Sequence, residues 1–243
     1  MSDIKMTMSD DTREKLARVS TATLTTILFK RGFRNAFIQG PRPLNPDGPN
    51  LVGPAYTLRY IPAREDLDHL KVFEDREHPQ RKGVEECPPG AVMVVDSRND
   101  PRAASAGSIL VRRLMRRGCA GFVTDGGLRD APEIATLPFP AYHLRPAAPT
   151  NLIRHHAADL QMPIACGEVA VYPGDIMVGD GEGVVCIPAH LADEIADEAV
   201  AQTLYEDWVT EQVDDGAGLF GTYPLTDPKQ AEAFAAWKAA KGS

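Results

Sequence analysis

The chain has 243 residues, of which 43% are hydrophobic and 25% charged, which suits one α/β domain with extensions or two small domains and excludes disordered and fibrous classes. Its formal net charge of −8 argues against nucleic-acid partners, whose backbone is bound by basic surfaces that release counterions. No apolar run reaches the roughly 18 residues of a membrane span, and the opening "MSDIKMTMSDDTREK" lacks the apolar core of a signal peptide, so a cytoplasmic location without a membrane partner is expected.

In chain order, "DDTREKLARVSTATLTTILFKRG" reads as one or two helices, capped by Asp10, Asp11 or Thr12 and stopped at Gly32. The proline- and glycine-rich stretch Gly40 to Asn50 reads as a loop. "LVGPAYTLRYIP" reads as a strand broken at Gly53 and Pro54, by a bulge or a close backbone approach. The charged segment Ala63 to Arg81 is expected to be a surface loop or short helix. "PPGAVMVVDSRND" then supplies the first buried strand, Ala91 to Val95, ending at Asp96.

A helix is expected to open near Gly107 in "AASAGSILVRRLMRRG", with Arg112, Arg113, Arg116 and Arg117 on a solvated face. "CAGFVTDGGLRD" adds a strand and a glycine turn, completing a strand, helix, strand succession of the parallel βαβ kind. Further on, "FPAYHL" and "MPIACGEVAVYPGDIMVGDGEGVVCIP" predict short strands joined by tight turns, and Ala189 to Val213 a closing helix. The tail predicts a loop and an amphipathic helix with Phe234 and Trp237 on one face.

Sites in parallel sheets lie at the carboxyl ends of strands and at helix N-termini. Asp96, Gly107, Arg129 and Asp130 all fall at that edge. Asp130 is a hard oxygen ligand suited to Mg²⁺ or Mn²⁺, which keep several waters and take one or two protein carboxylates. Arg129 is a permanent cation able to meet a carboxylate or a developing oxyanion. The helix start Gly107, Ser108, Ile109 and Leu110 offers backbone N–H groups to an anion. Together these fit a small 2-oxo acid. The same residues equally fit a surface ion pair beside an ordinary helix start, and spacing does not choose between the two.

Other polar residues have simpler readings. His155 and His156 lack a metal-spaced partner and point to a surface or interface role. Asp175, Asp180 and Glu182 sit among turn glycines. Asp96 and Asp125 end strands and either shape the site or cap the turns that follow. Cys87, Cys119, Cys166 and Cys186 are too far apart for a Cys-x-x-Cys metal or redox site and read as buried apolar thiols.

The phrases "LVGPAYTL", "PPGAVMVVD", "AGSILVRRLMRRGCAGFVTDGGLRD" and "VAVYPGDIMVGDGEGVVCIP" resemble, in order and spacing, the RraA-like family, which holds 4-hydroxy-4-methyl-2-oxoglutarate aldolase and the regulator of ribonuclease E activity. The likeness runs from about Leu16 to Ala201 within a single domain over 1–243, and the tail over 214–243 is longer than in short members. It implies an α/β fold of the swivelling β/β/α type with N- and C-terminal helical extensions, assembled as homotrimers or homohexamers with active sites between subunits. It also implies a class II pyruvate aldolase, a lyase that uses a divalent metal cation, magnesium or manganese, to release pyruvate from 4-hydroxy-2-oxo acids and to decarboxylate oxaloacetate.

Carried over by position, the resemblance assigns substrate-binding amides to Gly107, Ser108, Ile109 and Leu110, substrate contact and catalysis to Arg129, and the metal to Asp130. The regulator branch tends to lack an acid after the arginine, and this chain has one. It departs at Thr25 and Thr26, where many relatives carry an acid, and at Ser108, where a glutamate is common. A non-catalytic protein-binding regulator and a sugar-acid lyase or dehydratase are the alternatives.

Overall fold

The computed structural model describes residues 8–241; the reading of the chain's start falls partly on 1–7, outside them. Two helices open the described chain, α1 (Asp10–Leu16) and α2 (Thr21–Lys30). Their caps are Ser9 and Ser20, not the expected Asp10, Asp11 or Thr12. Each serine hydroxyl accepts the N–H of the residue three further on, Thr12 or Thr23, which satisfies an amide the helix cannot. Asp10 and Asp11 instead occupy the first turn, where negative charge suits the helix dipole.

Then follow β1 (Arg42–Pro43), β2 (Leu51–Pro62), α3 (Pro79–Glu86), β3 (Val92–Asp96), β4 (Ala104–Ala106), α4 (Ser108–Arg116), β5 (Gly121–Thr124), β6 (Gly127–Leu128) and α5 (Ala131–Ile134). The second half holds β7 (Ala141–His143), β8 (Arg145–Pro146), β9 (His155–Leu160), β10 (Ile164–Cys166), β11 (Val169–Val171), β12 (Ile176–Gly179), β13 (Val184–Ile187), α6 (Ala192–Asp214) and α7 (Pro228–Lys241).

The main sheet runs β1-β7-β5-β3-β2-β12-β13, with β9 also pairing β2. Its centre, β2, β3, β5 and β7, is parallel. Every residue of β3 and β5 is buried, as expected for strands covered on both faces. Alternation sorts them: Met93, Val95 and Phe122 join the core beneath α3 and α4, while Val92, Val94 and Val123 join the core beneath the β10–β11 hairpin.

Strand β2 is not broken at Gly53 and Pro54. Pro54 closes the pairing with β12, and Ala55 opens the pairing with β3, so the missing N–H falls between two ladders. Gly53 does mark a close approach, because a Cβ there would lie 2.4 Å from the Gly90 carbonyl oxygen. The irregularity in β2 comes later, at Arg59 and Tyr60, in its pairing with β9.

A second, three-stranded parallel sheet has the order β4-β6-β8. These short strands follow β3, β5 and β7 along the chain and keep the same lateral order. Three neighbouring strands thus leave the main sheet, turn, and pair again beyond its edge. The sequence reading merged the two layers into one βαβ edge.

The remaining expectations are more local. The arginines of α4 are paired as well as solvated, Arg112 with Glu133 at 2.8 Å and Arg113 with Glu85 at 2.7 Å. Helix α7 folds back on α6, with the Phe234 ring 5.3 Å from Trp208 and the Trp237 indole N–H donating to Glu211. All four cysteines are free and buried. Among the described residues no helix is long and apolar enough to cross a membrane.

Candidate active site

The site is a consequence of the second sheet. Strands β4 and β6 run parallel with Ala106 opposite Leu128, and the Arg129 N–H donates to the Ala106 carbonyl at 3.1 Å. The residues just beyond the two strands must therefore lie side by side: Gly107 at the start of α4, and Arg129 with Asp130 at the start of α5. The contact leaves no free room for a side chain at Gly107 unless its neighbours shift. A Cβ on Gly107 would come within 2.7 Å of Arg129 Cγ and 3.0 Å of Asp130 Oδ2.

Asp130 has a φ of 57°, a left-handed conformation that aspartate tolerates better than most residues. That turn carries its carboxylate back over α4, where Oδ2 accepts the Ser108 N–H at 3.2 Å. Arg129 Nε stands 4.0 Å from the same oxygen, and the two side chains are 47% and 42% exposed. A separation at the outer limit of an ion pair, with both groups open to solvent, contributes little to stability. The pair is held in place by the backbone and by Ser108, leaving both charges available to a ligand.

The helix start offers fewer amides than the sequence suggested. Ser108 N–H goes to Asp130, and Leu110 N–H bonds the Gly107 carbonyl at 3.1 Å, because the first turn of the helix uses it. The Ile109 amide has no partner among the described residues.

These groups line one wall of a cleft of about 440 Å³. Leu70, Phe73, Gln80 and Arg81 line it too, so the segment read as a surface loop supplies part of the site. Thr150 and Asn151, beyond β8, close it. Gln80 and Asn151 are buried, and Arg81 Cζ lies 4.3 Å over the Phe73 ring. Burial holds the Arg81 guanidinium below its usual range. Sequence reasoning missed these four polar residues. Arg81 stands among Arg76, Lys82 and other charges in "DREHPQRK", and only the fold distinguishes it.

Asp96 and Asp125 belong to the main sheet's edge and do not line the cleft. Asp125 accepts the N–H groups of Ser97 at 2.6 Å, Asn99 at 3.0 Å and Gly167 at 3.3 Å. Asp96 accepts those of Arg98 at 2.9 Å and Ala165 at 3.3 Å. Together they fasten the left-handed turn at Arg98 and Asn99 to the β10–β11 hairpin. Burial raises both carboxyls, that of Asp125 to about 6.

Histidine was misread in part. His155 is fully buried and stacked on Tyr60 at 5.2 Å, and burial lowers its basicity to about 4. It is a core residue, because alternation along β9 turns it inward. The half-exposed His156 bonds Asp68 at 2.9 Å. Asp180 accepts the backbone N–H and hydroxyl of Thr21, and Asp175 accepts the N–H groups of Tyr172 and Ala189, which accounts for both as structural.

Asp130 is the one carboxylate on the cleft, and no cluster of three or more His, Cys, Asp or Glu suited to a metal occurs among the described residues. A lone, half-exposed carboxylate does not suit a closed zinc site. It does fit an ion such as Mg²⁺ that retains most of its waters.

Fold and cleft define an α/β protein in which parallel strands deliver a glycine-led helix start and an Arg-Asp turn to one pocket. The sequence model of the RraA-like family, described as Aldolase/RraA, matches residues 16–186, and the chain belongs to this family. It is 32% identical over 158 residues, 65% of this chain and 69% of the other, to a protein of Halalkalibacterium halodurans provisionally named 4-hydroxy-4-methyl-2-oxoglutarate aldolase. It is likewise 32% identical over 119 residues, 49% of this chain and 71% of the other, to the 4-hydroxy-4-methyl-2-oxoglutarate aldolase of Thermus thermophilus. The crystal structure of Streptomyces coelicolor RraAS2, described as an unusual member of the RNase ES inhibitor RraA family, superposes with a TM-score of 0.74 at 32% identity. It covers 83% of this chain and 96% of its own.

Proposed function

We propose that this protein is a divalent-metal-dependent lyase that releases pyruvate from 4-hydroxy-2-oxo acids and decarboxylates oxaloacetate. The observation that carries the reading is the placement of Asp130, turned back to the α4 start by its left-handed backbone with Arg129 beside it and the cleft in front. Asp130 would hold the metal, which when bound draws electrons from the chelated 2-oxo acid. The Ile109 amide and Arg129 receive the substrate's carboxylate. As the bond beyond C3 breaks, negative charge grows on the C2 oxygen, and the fixed guanidinium of Arg129 meets it. Among the described residues Asp130 is the only carboxylate lining the cleft, so the proton of the C4 hydroxyl leaves to water or to a carboxylate of a neighbouring subunit, and C3 of the pyruvate enolate takes up a proton from water. We therefore infer a trimer or hexamer.

The test is pyruvate formation from oxaloacetate and from a 4-hydroxy-2-oxo acid, with Mg²⁺ and with EDTA, on protein whose mass is measured by light scattering. Metal should raise turnover by at least ~100-fold, on a trimeric or hexameric species. A second reading, a non-catalytic protein-binding regulator, is favoured by the likeness to RraAS2. Pyruvate release that is absent, or indifferent to EDTA, would move the assignment there.

A further inference from the structure

The Gly90 N–H donates to the Gly118 carbonyl at 2.8 Å and the Ala120 N–H to the Ala91 carbonyl at 2.7 Å, so the chain entering β3 lies beside the chain entering β5. Cys87, at the C-terminal cap of α3, and Cys119, just before β5, come together across this seam, and both belong to the core beneath α3 and α4. The Cys119 thiol donates to the Cys87 carbonyl at 3.5 Å, and Arg117 Nε donates to the same oxygen at 3.4 Å. A guanidinium thus stands at a pair of thiols.

A hydrogen bond from the Cys87 thiol, with the Arg117 charge, holds Cys119 below the usual thiol range, while the same bond and burial push Cys87 up. Access divides the two in the same sense, since Cys119 is 7% exposed and Cys87 0%. Cys166 and Cys186 have the opposite surroundings. Burial pushes both well above the usual thiol range, Asp125 and Asp96 add to the rise at Cys166, and the Cys186 thiol faces Asp175 Oδ2 at 3.7 Å. A buried thiol among carboxylates stays protonated and inert.

We propose that Cys119 and Cys87 are an oxidisable dithiol that hydrogen peroxide converts to a disulfide, Cys119 being the attacking sulfur and Cys87 the resolving one. The Cys119 thiolate attacks a peroxide oxygen: an S–O bond forms, the O–O bond breaks, and the departing hydroxide takes the proton that Cys119 gave up and leaves as water. Cys87 then attacks the sulfenic sulfur, so that the S–S bond forms, the S–O bond breaks, and the second hydroxide leaves as water with the Cys87 proton. Two electrons pass from the thiols to the peroxide. The bond closes a loop that contains β3, β4 and α4, and ties α3, which carries Arg81 on the cleft wall, to the start of β5.

The test exposes the reduced full-length protein, folded at neutral pH, to a small excess of hydrogen peroxide, with free glutathione treated alongside. Thiols counted after unfolding should fall from four to two, on a chain that still runs at single-chain mass without reductant. Trypsin places the two sulfurs on separate peptides, Gly83 to Arg98 and Gly118 to Arg129, which should appear joined with the loss of two hydrogens and come apart in dithiothreitol. In Cys87→Ser the reaction should stop at a sulfenic acid that dimedone captures on Cys119, and Cys119→Ser should slow thiol loss by at least ~10-fold. Four thiols retained at a dose that oxidises glutathione would overturn the proposal, as would a bond that involves Cys166 or Cys186 or joins two chains. The wild-type peptide map decides the matter even where a serine variant does not fold.

Discussion

Asp125 and Asp130 lie five positions apart, and both follow a parallel strand, yet the fold treats them in opposite ways. Asp125, beyond β5, is 1% exposed and takes three backbone N–H groups. Asp130, beyond β6, takes one amide at 3.2 Å and is 42% exposed. The difference lies in the layer each strand belongs to. At the main sheet's edge the β10–β11 hairpin covers the strand end, so a carboxylate there becomes a fastening. At the second sheet's edge the described residues leave the chain half-exposed, and the carboxylate lines the cleft. A strand-end aspartate is therefore informative only once its cover is known.

The comparison is broken most severely at Asp130. Asp130→Asn keeps the shape and removes the charge, so turnover should fall by roughly 1,000-fold or more, with thermal stability nearly unchanged because the side chain is half-exposed. An unfolded variant, or one with ordinary metal-dependent turnover, would return Asp130 to the same structural class as Asp125. Arg129→Lys keeps charge but loses the planar fork, and kcat should drop by roughly 10- to 100-fold with a smaller change in KM, because the opposing charge grows in the transition state. A KM-only effect in steady-state kinetics would make Arg129 a ground-state anchor.

Gly107→Ala sharpens the comparison without touching a charge. The backbone at Gly107, φ −127° and ψ 179°, suits alanine, so the chain should fold within about 1 kcal/mol of wild type. The new Cβ displaces Arg129 Cγ and Asp130 Oδ2, and turnover should fall by about tenfold. Chemical denaturation and kinetics on the same sample separate the two effects.

Much of this was legible in the sequence. The apolar run before Asp96 gives β3, the glycine at 107 gives the α4 start, and the glycines at 126 and 127 announce a turn before Arg129. The pairing of β4 with β6 was not legible, since strands of three and two residues carry no periodicity. Nor was the cleft's second wall, because Gln80 and Arg81 are ordinary members of a charged helix until tertiary packing buries them. His155 was missed for a related reason: "RHHAADL" is too polar to announce a strand whose first residue faces the core.

The smallest expected effect is on the buried side of the comparison. Burial raises the Asp125 carboxyl to about 6, against the combined pull of its three N–H donors, and the neighbouring Asp96 adds to the rise. An unfolded aspartate titrates near ~4. Between these values the folded chain binds more protons than the unfolded one, so this group's contribution is fully present below about pH 4 and is lost as pH rises through about 6, a change on the order of 3 kcal/mol. Asp96 and Asp175, raised also by burial, act with the same sign, whereas Asp100, held low by Arg102, acts oppositely at lower pH. The difference between wild type and Asp125→Asn isolates the single group. Measured by urea unfolding from pH 4 to 7, the variant should show a shallower fall in stability with rising pH, even if its absolute stability is lower for want of one backbone acceptor. Its turnover at pH 7 should stay close to wild type, because the side chain does not reach the cleft. Parallel pH curves for the two proteins would mean that Asp125 is already ionised in the folded chain, with its three N–H donors outweighing the cost of burial.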